Sequence, residues 1–397
     1  MNNTNTTLKT IFAALFSLST IASKTTAQTV HTDKVNIGLV YPISTNGVHA
    51  AADTNVFSLN LISGVSAAEQ SFAFAGVSNI IRQGASGVQF AGFSNHLGEN
   101  SEGLLFAGFA NTYSAGAGLQ FAGFSNLARK AVNGVQFAGF LNRSTDIRGF
   151  QFAGFSNVAN EVIGSQFAGF INTSKQVEGS QFAGFANITG KQSHGSQFAG
   201  FMNKANDING SQFAGFINVA KKVKGAQIAG FINVADSSDY PVGIINIVKN
   251  GEKSIGLSID ENSTSVLAFR SGGKNLYGII GGGYNFNDPE DGLYAFEAGL
   301  GAHFKLANSL RINTELTTLM LEDFRAGEYF KSSFRLLPAL KLGRSVEVYG
   351  GPAFNWVNTN TSRGRYLTAD YISEWTNRND YFGGIYIGYT AGMHFLL

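Results

Sequence analysis

Gly164-Ser-Gln-Phe-Ala-Gly-Phe-Ile-Asn172 is answered fifteen residues later by Gly179-Ser-Gln-Phe-Ala-Gly-Phe-Ala-Asn187. Ten close copies of Gln-Phe-Ala-Gly-Phe-x-Asn begin at Gln89, Leu105, Gln120, Gln136, Gln151, Gln166, Gln181, Gln197, Gln212 and Gln227, at steps of 15 or 16 residues. Weaker copies fill 73–79 and 240–246. So short and regular a period means stacked units, and it governs how every motif inside it is read. Within a unit, stepping by two from Val177 puts Gly179, Gln181, Ala183, Phe185 and Asn187 on one face, and Glu178, Ser180, Phe182, Gly184 and Ala186 on the other. Period two predicts strand.

Three arrangements could use such strands: a parallel β-solenoid, an antiparallel meander or large membrane barrel, and a string of unstacked units. The last would leave Phe unburied at every step. A membrane barrel alternates short turns with long loops and keeps one face free of polar side chains. Here the turn lengths do not alternate, and Gln, Asn or charge falls on both faces. A parallel solenoid of about twelve 15–16-residue coils is therefore expected over 67–250, roughly 55 Å long at ~4.8 Å per coil. Like residues would stack as ladders: Phe90, Phe121, Phe137, Phe152, Phe167, Phe182, Phe198 and Phe213, and Asn95, Asn126, Asn142, Asn157, Asn172, Asn187, Asn203 and Asn218. Phe rows are expected to bury apolar area, and stacked amides to satisfy one another. The worn copies fall where caps should be.

Beyond residue 250 the repeat stops. Eight strands are expected in 251–397, at 254–260, 263–270, 276–286, 293–306, 310–321, 330–342, 346–357 and 381–397. Phe296, Leu300 and Phe304 alternate with Glu297, Gly301 and Lys305. Short turns alternate with longer loops, the pattern of an antiparallel outer-membrane-type β-barrel; a soluble sandwich is the competing reading. Glu297, Arg311, Glu315, Arg335 and Glu347 would point inward and pair, filling a small lumen. Two more alternating segments, 35–44 and 57–65 in the region 28–66, match these strands in style. The barrel is expected to have eight strands, or ten if this N-terminal pair joins it. Residues 1–27, with Lys9, an apolar run from Ile11 to Ala22 and small residues before Gln28, read as a secretory signal.

Composition excludes several classes. Net charge is +2 and charged residues are 14%, which gives nucleic acid no electrostatic footprint. No cysteine is present, so disulfides and thiolate chemistry are absent. His31, His49, His96, His194, His303 and His394 show no ligand spacing, and Asp288, Glu290 and Asp291 lack the spacing of a calcium hand. No catalytic, cofactor-binding or metal-binding residue is expected. A flat ice-binding face would need Thr rows, which the repeat lacks.

The units at 87–95 and 164–172, with Tyr41-Pro-Ile-Ser-Thr-Asn-Gly47 and Gly243-Ile-Ile-Asn-Ile-Val-Lys-Asn-Gly251, resemble a bacterial surface-repeat family of Gram-negative envelopes. The resemblance implies an outer-membrane or cell-surface location and carries no catalytic residues. The expected function is a non-enzymatic structural or binding protein in outer-membrane lipid, with an envelope or surface partner. The competing expectation is a transport or receptor barrel with the solenoid as plug or periplasmic module.

Overall fold

The computed structural model describes residues 31–287, 293–324, 327–368, 370–377 and 380–397. The expected signal segment and the Asp288–Asp291 acidic loop lie outside them. Each repeat is one coil, most with two strands, as in Glu161–Ala168 followed by Ile171–Ser174; in 192–204 and 207–219 the first strand is split into two. Both pair in parallel with the same strands one coil on, Gln166 opposite Gln181 and Asn172 opposite Asn187. Like lies over like, through about 13 turns.

The chain turns between the two strands at Gly169–Phe170, and this bend breaks the alternation expected across the whole unit. Val162, Gln166, Asn172 and Ser174 point inward and are buried. Both phenylalanines point outward. Phe167 is half-buried, and Phe170 is 39% exposed. The Phe ladders exist, but on the outer surface, which corrects the expectation that they fill the interior. Four other columns occupy it: Val or Ile, Gln, Asn, and a small Ala, Ser or Thr that gives way to Ile81, Leu97 and Tyr113 in the first coils. At the bend no β-carbon is tolerated, since one on Gly169 would stand 2.1 Å from the carbonyl oxygen of Gly154 in the previous coil. The glycine two residues before each Gln is needed for a second reason, positive φ, as at Gly164 (130°).

The N-terminal pair belongs to the solenoid and not to the barrel. His31–Val40 runs parallel to Asp53–Ser66, which runs parallel to Ala68–Ala75 and Ser78–Ile81. Its alternation is real, but Val35, Ile37, Leu59 and Leu61 face outward while Asn36, Ser58 and Asn60 face in. This is the same inverted pattern as in the repeats. Alternation specifies a strand with two unlike faces; it does not specify the strand's neighbour.

The barrel closes with eight antiparallel strands, Lys253–Asp260, Thr264–Gly272, Leu276–Asn285, Leu293–Lys305, Leu310–Glu322, Tyr329–Leu342, Val346–Thr359 and Phe382–Leu396. The first pairs with the last, Ser254 opposite Leu396, so no edge is left open along that seam. A one-turn helix, Ser362–Tyr366, and a short strand, Ser373–Thr376, fold within the longest connection. The last coil sits on the barrel's short-turn end, where the Asn246 amide N–H donates to Ser271 Oγ at 2.9 Å and its Nδ2 to the Ser271 carbonyl at 3.1 Å.

Candidate functional site

Two parts of the molecule concentrate chemistry: the ladders of the solenoid and the lumen of the barrel. The asparagine ladder runs unbroken through twelve side chains from Asn79 to Asn246, each Nδ2 donating to the next Oδ1 at 2.8–3.1 Å. The same Nδ2 donates to a Phe carbonyl one coil on, as Asn157 does to Phe167 at 2.7 Å. These second bonds hold the bend of one coil to the next. The positions expected to stack, Asn95 to Asn218, all belong to this column.

The glutamine ladder is continuous only from Gln136 to Gln227, at 2.7–3.1 Å. Leu105 separates Gln89 from Gln120 in the column. Between Leu105 and Gln136, Gln120 is buried with neither amide atom bonded, because Tyr113 takes the hydrogen bond from Gln136 Nε2 at 2.7 Å. Burying an unpaired amide costs about 1–3 kcal/mol. Gln120→Leu is expected to stabilise the protein by about 1 kcal/mol or more, read as a higher urea midpoint with unchanged slope. No change, or a loss, would show that Gln120 has a partner after all.

The solenoid's first coils hold a buried carboxyl. Glu69 accepts hydrogen bonds from Ser58 Oγ at 2.8 Å and Asn55 Nδ2 at 3.1 Å. Burial nonetheless pushes its pKa up to about 7, the hydrogen bonds offsetting only part of that effect. The folded state thus holds the proton more tightly than the unfolded chain. Stability is full below about pH 4.5, falls as pH rises towards 7, and is flat above, a loss of about 3 kcal/mol. Glu69→Gln should abolish this slope in thermal midpoints taken from pH 5 to 8 and be the more stable protein at pH 8.

Outside, the first phenylalanine of each repeat stacks on its neighbours at 4.7–4.9 Å between ring centres from Phe90 to Phe213. The second forms a parallel row from Phe93 to Phe231 at 4.7–5.3 Å. Stacked faces shield one another and leave the ring edges in solvent. Alongside the first row lies an open groove of about 1060 Å³, walled by Phe and floored by Ala and Gly. Lys130, Lys175, Lys191 and Lys221 occupy the turns at the opposite edge of the coils and are exposed. The rod is therefore apolar along one edge and charged along the other. Sequence reasoning missed this surface, because the repeat alone does not reveal the change of phase at Ala-Gly-Phe.

In the barrel, all five expected lumen residues are buried. Arg335 meets Glu297 and Glu315, and Arg311 meets Glu347 at 2.7 Å. The structure adds Arg270, 2.8 Å from Glu315, and Lys331 beside Asp260 and Glu261. These were legible as inward positions of their strands and were not singled out. Among the described residues, four buried cations, Arg270, Arg311, Lys331 and Arg335, thus meet four buried carboxylates, Asp260, Glu297, Glu315 and Glu347, and the part-buried Glu252 and Glu261. Tyr277 stacks on His303 and Tyr349 lies tilted against His394, with ring centres 4.3 and 4.2 Å apart. Among the described residues, no three His, Asp or Glu side chains converge as metal ligands. Comparison with protein families, with curated proteins and with solved structures finds no match to this chain.

Proposed function

We propose that this chain is a non-enzymatic outer-membrane protein of a Gram-negative envelope, in which a small, filled barrel holds a repeat solenoid at the membrane. The observation that carries the reading is the division of faces in the barrel. Leu257, Leu267, Phe296, Leu316, Phe334, Phe354 and Ile387 are exposed on its outside, while the lumen holds ion pairs. Water offers nothing to such an outer surface, and a bilayer core matches it. The signal-like N-terminus and the surface-repeat resemblance point to the same compartment.

The solenoid leaves the barrel at the end that carries its short turns. In outer-membrane barrels that end faces the periplasm, so this reading places the rod beneath the membrane rather than on the cell surface. The solenoid then acts as a structural or binding module for an envelope component. The filled lumen weighs against solute transport.

Reconstitution of the full chain into lipid bilayers tests this. The protein is expected to insert and to give no steady, solute-sized conductance. Reproducible channels would favour transport, and a protein that stays in the aqueous phase would end the membrane reading. Protease added to intact cells should leave the repeats uncut; cleavage there would move the rod to the outer surface.

A further inference from the structure

We propose that the outer groove of the solenoid binds the acyl chains of membrane lipids, exchanged where the last coil lies against the barrel wall. The inference rests on the barrel being embedded in lipid, and three observations lead to it. The groove is lined throughout by Phe, Ala, Gly and one Ile, with no charged or amide side chain. It is uniform along its length, as a hydrocarbon chain is. From Phe90 to Ile228 it extends on the order of 40 Å at the strand spacing. One leaflet of a bilayer core is about 15 Å deep, so the groove has room for more than one tail laid end to end.

The backbone at the bend decides between a lipid tail and a peptide. Gly169 N–H donates to the Ala153 carbonyl at 3.1 Å, Phe170 N–H to the Phe155 carbonyl at 3.1 Å, and Ile171 N–H to the same oxygen at 3.0 Å. The pattern recurs coil after coil. A peptide strand laid in the groove would find no free N–H and would bury its own amides unpaired. A polymethylene chain has none to satisfy.

The third observation is where the groove leads. In the last coil Val242 pairs with Ile228 and Ile245 with Ile232, so the bend is one residue shorter, and the place of Ala229, Gly230 and Phe231 is spanned by Gly243 and Ile244. They lie on Gly278 of the barrel, where a β-carbon would stand 2.0 Å from the Gly243 carbonyl oxygen. Gly278 alternates with Tyr277 and Ile279, both buried in the barrel's interior cluster, so it belongs to the outer wall. Its cross-strand neighbour is Leu300, exposed among the apolar residues of the barrel exterior. Through Val242 and Ile244 the apolar edge of the rod therefore continues from Ile228 to the barrel wall beside Leu300, and this is where tails are exchanged.

The test uses the full chain in vesicles of phosphatidylethanolamine and phosphatidylglycerol, doped with a phospholipid carrying a diazirine near the end of one acyl chain. After illumination, adducts are mapped by mass spectrometry. Adducts are expected on the barrel exterior and also along the groove wall between Phe137 and Phe182. Phe152→Ser/Phe167→Ser/Phe182→Ser should reduce groove adducts about tenfold. Phe155→Ser/Phe170→Ser/Phe185→Ser, in the row outside the groove, should leave them. Adducts confined to the barrel would overturn the inference and leave the membrane reading standing, whereas adducts nowhere would remove both. A groove shielded by a second copy of the chain, seen as a dimer mass without groove adducts, would also overturn it. Should the groove variant not fold, the wild-type adduct map alone decides.

Discussion

Gly169→Ala is expected to lower the stability of the solenoid by about 4 kcal/mol. The added carbon would sit 2.1 Å from the Gly154 oxygen, against the backbone of that coil and with no flexible side chain to yield. The two coils must separate by about an ångström to accept it, which is overpacking at a cost of about 1–3 kcal/mol. Separation also stretches three backbone hydrogen bonds at the bend and the Asn157–Asn172 amide contact of 3.0 Å, each of net worth about 1 kcal/mol. Because each coil touches only its neighbours, the damage should divide the rod there. Urea melts should broaden, and limited proteolysis should cut near residue 169 before it cuts elsewhere in the repeats. Lys175→Ala, on the exposed edge of the same coil, is the control and should change stability by less than about 0.5 kcal/mol. If the two variants melt alike, the close approach of coil on coil is wrong.

That sensitivity explains what could be read in advance. Stacking was legible because Gly164, Gly169, Gln166 and Asn172 recur at fixed spacing, and each type does something only it can do. Glycine admits the neighbouring coil, and the amides pair along the axis. Which way the phenylalanines face was not legible. Strict alternation from Val162 would put Phe170 inside with Asn172, but the bend at Gly169 inserts a change of phase, and the polar amides take the interior. The same inversion hid the partnership of 35–44 and 57–65, whose apolar faces look like barrel strands and are in fact the outside of the first coils. In the barrel, inward charges alternate with outward Leu and Phe, so its strands were legible almost to their ends. Their pairing was not, because Arg270 and Glu315 lie on different strands, and only closure brings them to 2.8 Å.

The lumen provides the second large effect. Glu315→Leu is expected to cost about 3–5 kcal/mol, because it leaves the buried Arg270 without its carboxylate. Glu315 also accepts from Tyr277 OH at 3.0 Å and lies 3.5 Å from Arg335. Arg335 keeps Glu297 after the substitution, whereas Arg270 keeps only the ring face of Tyr349 at 5.7 Å. Removing both charges together, as Arg270→Met/Glu315→Leu, should recover most of the loss, since apolar replacement of a whole buried pair is commonly neutral or better. Unfolding of the refolded barrel in urea, followed by the gel shift between folded and unfolded forms, gives the four stabilities of the cycle. A coupling of several kcal/mol means that Arg270 and Glu315 meet away from water. A coupling below about 1 kcal/mol is the value for solvated pairs, and would mean that water fills the lumen. The cycle therefore decides between a packed barrel and a conduit without any transport assay, because the dielectric around one ion pair differs between the two.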